Sequence, residues 1–286
     1  MKKFTILILI ILISSGNILA QEEKREDKPV RAPFESGILI DSRTVYNPVK
    51  KTLEFNIQHR FAQIEDFSNL YGIYGASNIR LALNYSFMDK LMIGFGTTKD
   101  QKLQDFQLKY VIVEQTRENT IPVGLAFYGN MAIDGRDKDV FGLNYEFTNR
   151  FSYFAQLIIS RKISYALSLQ LAPSFSHVNA VLPGYEHDKI GISFNGRLRV
   201  SPQSSIIFNY DQPLEIEAIY ENKEPALKPK ANIALGWEIS TSTHAFQIFV
   251  SSARALVPQY NMMYNTNDFF DGGIFFGFNI TRLWSF

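Results

Sequence analysis

TLEFNIQHRF at residues 52–61 and SNIRLALNYSF at residues 77–87 decide how this chain is built. In the first, Leu53, Phe55, Ile57 and Phe61 share one phase, while Glu54, Asn56, Gln58 and Arg60 share the other. In the second, Ile79, Leu81, Leu83, Tyr85 and Phe87 alternate with Asn78, Arg80, Ala82, Asn84 and Ser86. Successive side chains of a strand point to opposite faces, so an alternation held this long predicts strands with one apolar and one polar face.

The same period predicts further strands near 91–98, 103–113, 121–133, 149–160, 163–176, 188–200, 204–211, 230–240, 244–251 and 272–284, twelve in all. Pro122 falls at a strand start, where a missing N–H is tolerated, and Pro173 inside a strand is expected to mark a bulge or an end. The links alternate in length. Those at Asp89-Lys90, Arg161-Lys162, Ser201 to Gln203 and Thr241 to Thr243 are tight, and 114–120 is moderate. Those at 62–75, 134–148, 177–187, 212–229 and 252–271 are long, and only 99–102 breaks the rhythm. The expectation is an all-β fold: a transmembrane antiparallel up-and-down β-barrel of about twelve strands with short periplasmic turns and long external loops. A soluble barrel or sandwich also alternates. It is disfavoured because strands of about ten residues match the 9–11 needed to cross a bilayer, and because the second face is rich in Asn, Gln, Ser, Gly and charge.

Composition agrees. Of 286 residues, 46% are hydrophobic and 24 are Phe, and no Cys is present. A chain without Cys has no disulfide framework and no thiolate metal site. The 29 basic and 28 acidic side chains nearly cancel, which argues against a nucleic-acid partner, since that requires a basic face. Lys2 and Lys3, the apolar run Phe4 to Ile13 and the small-residue exit Ser14 to Ala20 predict a cleavable signal peptide over residues 1–20. Its removal takes two lysines and no acid, which leaves 27 basic and 28 acidic groups. The run is too short for a membrane-spanning helix. Residues 21–51 are expected to form a periplasmic N-terminal segment, charged over Gln21 to Lys28, with FESGILIDSRTV (Phe34 to Val45) as a possible plug of the barrel at 52–286. At the other end Phe276, Phe278, Ile280, Trp284 and Phe286 alternate on a closing strand, resembling the signal read by the outer-membrane barrel assembly machinery. The expected location is the outer membrane, among its lipids.

The segments IDSRTVYNPVKKTLEFNIQHRF, ASNIRLALNYSFMDKLMIGFG, IPVGLAFYGNMAI, RFSYFAQLIISRKIS and FFGFNITRLW resemble a Bacteroidota family of outer-membrane β-barrel proteins of unassigned function. The likeness spans roughly Phe34 to Phe286. It implies fold and location and brings no catalytic or binding residues. The family commonly carries an acidic residue where this chain has Asn84, which removes one candidate lumen charge.

By alternation Glu54, Arg60, Arg80, Lys109, Arg197, Arg199 and Glu238 point into the lumen, with Arg197 and Arg199 side by side on one strand. Basic ladders can select anions in a pore; alternatively they pair with Glu54 and Glu238 and fill the interior. Twelve strands lie between barrels filled by side chains and barrels that conduct. Three functions remain open: a narrow channel or uptake pore for small solutes, working without a cofactor; a plugged barrel serving as a binding or scaffold component; and an outer-membrane lipid hydrolase. For the last, His59 is the candidate base on the lipid-facing phase, but no G-x-S-x-G elbow accompanies it, and an enzyme is not expected. His177 and His187, with Glu186 and Asp188, flank one loop at a spacing too unspecific for a zinc site, and His244 opens a strand as a turn residue. Asp134, Asp137 and Asp139 lack the calcium-loop spacing, and the Asp211 to Glu224 acids read as a solvated loop. No metal is expected. Tyr85, Tyr153, Tyr165, Trp237 and Trp284 read as an interfacial girdle.

Overall fold

The computed structural model describes residues 27–286 apart from positions 66 and 223, so the signal segment lies outside the described residues. A two-residue pair comes first, β1 (Ile38–Leu39) and β2 (Ser42–Arg43). Then follow β3 (Thr52–Gln63), β4 (Asn78–Met88), β5 (Leu91–Thr98), β6 (Gln104–Val113), β7 (Gly124–Ile133) and β8 (Phe151–Lys162). The last six are β9 (Leu167–Val178), β10 (Asp188–Arg199), β11 (Ser204–Pro213), β12 (Asn232–Ser240), β13 (His244–Ser251) and β14 (Phe275–Ser285). One α-helix, α1 (Pro258–Tyr264), sits in the link between β13 and β14.

From β3 to β14 each strand pairs antiparallel with the next, and β14 closes on β3 from Ser285↔Thr52 to Phe275↔Gln63. Closure removes the sheet edges that water would otherwise have to satisfy, which is what a bilayer demands of strands. No described helix is long and apolar enough to cross a membrane.

The alternation read in the sequence is the inside–outside alternation of the wall. Along β3, Thr52, Glu54, Asn56, Gln58 and Arg60 are buried and the residues between them are not. The outer face carries Leu83, Phe95, Phe106, Phe127, Phe175, Phe194, Leu235 and Ile248, each 40–54% exposed. An apolar band this continuous, with the charges turned inward, is the reverse of a soluble barrel and fits a hydrocarbon surround. Tyr153, Trp237 and Trp284 are exposed on that face, Tyr85 is half-buried beside Phe87, and Tyr165 lies in the turn between β8 and β9 with Arg199 4.9 Å from its ring centroid.

Two local expectations are corrected. The tight turn after β8 is Ile163 to Ala166, because Arg161 and Lys162 still pair with Leu169 and Ser168. The Ser164 hydroxyl sets it by accepting from the N–H groups of Ala166 and Leu167 at 3.2 and 3.0 Å, a side-chain mimic of a backbone turn. Pro173 marks neither a bulge nor an end. It pairs with Ile192 inside β9, and the ladder to β8 skips from Gln156↔Ser174 to Ile159↔Leu171 and resumes in the same register.

Candidate functional site

The chain approaches the lumen from the short-turn end. There the Val30 N–H donates to the Gln115 carbonyl at 2.9 Å, and the Lys162 ammonium to the Arg31 carbonyl at 3.1 Å. Residues 34–45 then run up between the walls and back. The β1–β2 hairpin turns at Ile40 and Asp41, and the chain leaves beside Asp89, whose carbonyl accepts from the Asn47 amide at 3.0 Å. Phe34, Leu39 and Ile40 are 0–1% exposed and pack with Ala126, Ile158, Ile207, Phe249 and Met262 from the wall and α1. The interior is therefore partly apolar, and the apolar part is supplied by the hairpin.

Its backbone is met by wall amides. The Ile40 N–H donates to Gln247 Oε1 at 3.0 Å, Gln247 Nε2 to the Ile38 carbonyl at 2.9 Å, and Asn279 Nδ2 to the Ile40 carbonyl at 2.8 Å. On the opposite wall the Val45 N–H donates to Gln170 Oε1 at 3.2 Å, and Gln170 Nε2 to the Arg43 carbonyl at 2.7 Å. A buried strand pair without sheet neighbours needs such partners for its backbone, and these lumen glutamines and asparagines supply them. Ile40 holds φ at 54°, a left-handed conformation that costs a β-branched residue energy.

Every charged residue read from the alternation faces inward. Glu54 pairs with Arg43 of the hairpin at 3.4 Å, Arg60 with Asp41 at the tip, and Arg80 with Asp105 at 2.6 Å. Arg197 pairs with Glu238 at 2.8 Å, and both Arg197 and Arg199 reach Glu35. The Lys109 ammonium donates to the Tyr46 carbonyl. Space for the Arg80–Asp105 pair comes from Gly96, where an added Cβ would lie 2.5 Å from both groups. Sequence reasoning missed Asp105, which shares Lys109's phase on β6 and was legible by the same rule. It also missed Glu35, Asp41 and Arg43, because a hairpin inside a barrel carries no periodic signal of its own.

The long-loop end is closed too. α1 begins with Pro258, whose missing N–H is harmless in a first turn. The helix buries Gln259, Tyr260, Asn261, Met262 and Met263, and Gln259 Nε2 donates to Asn130 Oδ1 at 3.0 Å and Ser152 Oγ at 3.1 Å. Between hairpin and helix a void of about 30 Å³ remains, lined by Asp41, Arg43, Arg80 and Asp211 among others.

The histidines are spread over the wall and loops. His59 stacks on Phe278 at 4.9 Å and meets Phe61 at 4.4 Å on the outer face. His177 Nδ1 lies 2.6 Å from Asp188, and His187 donates to the Val178 carbonyl. Among the described residues no group of three or more His, Asp or Glu is placed to hold a metal ion. Glu186 ties two loops, accepting from the Glu221 and Asn222 N–H groups at 2.7 and 3.1 Å.

A closed ring of twelve antiparallel strands with an apolar exterior and a polar, filled lumen defines a membrane β-barrel. The chain belongs to the membrane-bound β-barrel domain family DUF5777, whose model matches residues 34–284. That span begins at Phe34 and so takes in the lumen hairpin. No curated protein matches the chain. Among solved structures it is similar to the NanC porin at 8% identity and TM-score 0.49, covering 81% of this chain and 99% of that one. It is similar to the KdgM porin at 8% and 0.43, covering 82% and 99%. The outer membrane phospholipase A of Escherichia coli matches at 11% and 0.40, covering 82% and 93%. At these scores no activity is carried from any of them to this chain.

Proposed function

We propose that the protein is an outer-membrane barrel held closed by its own N-terminal hairpin, acting at rest as a binding or scaffold component rather than as an open narrow pore. One observation carries the reading: the β1–β2 hairpin and α1 occupy the lumen from opposite ends and leave a void no larger than about 30 Å³ between them. Hairpin and helix fill the lumen where they meet, which narrows any route a solute could take. Nothing around His59 favours lipid hydrolysis, since its ring is packed between Phe61 and Phe278.

A gated uptake pore is the second reading, favoured by how the hairpin is held. Its tip stores strain at Ile40, and much of its grip is ionic, a kind of contact that adds little net stability once desolvation is subtracted. Withdrawal would remove Glu35, Asp41 and Arg43 together and leave Arg60 and Arg199 without their carboxylates. The opened lumen would then prefer anions.

The experiment uses the absence of cysteine in the full chain. Asp41 Oδ2 and Ser251 Oγ lie 3.2 Å apart, so Asp41→Cys/Ser251→Cys is built to lock the hairpin to β13 on oxidation. In planar bilayers the closed reading expects no conductance from the wild-type or from either redox state. Intermittent conductance of the wild-type protein that is absent from the oxidised double variant supports the gate, and a continuously open wild-type channel overturns both.

A further inference from the structure

Above the hairpin, at the long-loop end, α1 and the β5–β6 link enclose a cavity of about 230 Å³. Three residues of its lining carry a buried side-chain oxygen without a hydrogen-bond partner: Thr98 Oγ1, Gln101 Oε1 and Asn261 Oδ1. Thr98 is 3% and Asn261 7% exposed. A buried acceptor left unpaired costs about 1–3 kcal/mol, so three around one void call for an explanation. They come from two separate places, the β5–β6 turn with Thr98 and Gln101 and α1 with Asn261. A folding accident at one loop does not account for them.

The charges around this void are already matched. Arg254 pairs with Asp100 at 2.8 Å across its rim. A second, larger cavity of about 650 Å³ shares Gln101, Tyr260 and Tyr264 with it. There Arg136 pairs with Asp134 at 2.6 Å. Arg150 is held between Phe141 and Tyr145 and donates to the carbonyls of Asp134 and Arg136 at 2.6 Å. The smaller void has no charged side chain in its lining besides the paired Arg254 and Asp100, so an anionic or cationic guest would be desolvated in it without a free counter-charge. Aromatic rings supply part of the remaining surface: Tyr260 and Tyr264 lie 5.6 Å apart, and Tyr185 stands 6.2 Å from Tyr264.

We infer that the smaller cavity binds an uncharged, polyhydroxylated ring compound, a neutral saccharide, from the long-loop side. Its hydroxyls donate to Thr98, Gln101 and Asn261 while its C–H face packs on the tyrosines. Oriented acceptors in an aromatic-lined pocket match this class. A site built around hydrogen bonds also rejects analogues that lack the hydroxyl. The inference is independent of whether the lumen ever opens.

The test is titration calorimetry on the full barrel in lipid nanodiscs, with glucose and maltose as neutral probes and glucuronate and glucosamine as charged ones. Saturable binding of a neutral sugar is expected, with both charged analogues weaker by about tenfold or more. Thr98→Val and Asn261→Leu should each weaken binding by about tenfold. Their melting temperatures should stay unchanged or rise, because each removes an unpaired buried acceptor. If Asn261→Leu fails to fold, Thr98→Val alone carries the comparison. Absence of saturable binding by either neutral sugar, tighter binding of a charged analogue, or wild-type affinity in Thr98→Val overturns the proposal. None of these readouts depends on conductance, so the closed-barrel reading stands or falls separately.

Discussion

Arg60 on β3 and Asp41 at the hairpin tip form an ion pair whose side chains keep 0% and 3% exposure. The guanidinium also lies 4.2 Å from the Phe249 ring centroid. Asp41 further accepts from Asn232 Nδ2 at 3.0 Å and Ser251 Oγ at 3.2 Å, so one carboxylate joins the hairpin to β3, β12 and β13. Removing one partner of such a buried pair leaves the other charge stranded, at about 3–5 kcal/mol. Asp41→Asn is therefore expected to lower the urea midpoint of the vesicle-refolded barrel, and adding Arg60→Met should recover most of the loss. A double-mutant cycle measures the coupling. Purely additive effects would mean that the two residues do not form a pair in the folded protein.

At Ile40 two backbone preferences can be separated. Gly is ordinarily worse than Ala in ordered structure by about 0.5–1 kcal/mol. With φ at 54° the order should invert, because Gly alone adopts that region without steric cost. Both substitutions lose the buried side chain, so both destabilise. Ile40→Gly is expected to unfold at higher urea than Ile40→Ala, and the ordinary ranking would contradict the left-handed tip.

Gly96 and Gly129 make a matched pair on neighbouring parts of the wall. A Cβ on Gly96 would intrude on Arg80 and Asp105 at 2.5 Å, whereas on Gly129 its nearest neighbour is Phe127 on the outer face at 3.4 Å. Gly96→Ala should cost about 1–3 kcal/mol by overpacking, and Gly129→Ala should be nearly silent. Thermal unfolding on heat-modifiability gels distinguishes them, and equal melting of the two variants would count against the packed lumen.

Glu186 gives the long-loop end an acid limit. Burial pushes its carboxyl up, but the Glu221 and Asn222 donors and nearby Lys189 outweigh it and hold the group below its ordinary value. A depressed folded value means the stabilisation is complete above the unfolded value, near 4.3, and is lost as pH falls through the folded one. Hydrogen-exchange protection of the Glu221 and Asn222 amides, corrected for intrinsic rate, should hold from pH 7 to 5 and fall in more acid solution. Glu186→Gln should lower it already at pH 7, and an unchanged profile in that variant would sink the assignment.

The wall was readable because one rule governs it: a period of two with one face in lipid fixes the phase of every strand, and hence Arg60, Arg80 and Glu238 as inward groups. Asp105 follows from the same rule. The turn after β8 was misplaced because Arg161 and Lys162 look like turn residues, while the decisive group, the Ser164 hydroxyl, acts through local hydrogen bonds that periodicity does not record. The hairpin's position rests on contacts such as Ile40 with Gln247 and Asn279, which lie 207 and 239 residues away. Its sequence named it as a possible insert, but only the assembled barrel supplies the groups that hold it. α1 is 7 residues long, too short for a helical period to stand out, and is held by tertiary contacts such as Gln259 with Asn130.

Those separations also set an order of events in time. The hairpin precedes β3 in the chain, yet the amides that hold its tip, Gln247 and Asn279, lie on β13 and β14, the last strands to be made. Ordering so long a loop costs entropy that only the completed contacts return. The backbone of the tip therefore lacks its partners until the final strands arrive and the seam between β14 and β3 closes around it. Biogenesis of this barrel should end with the capture of its own beginning.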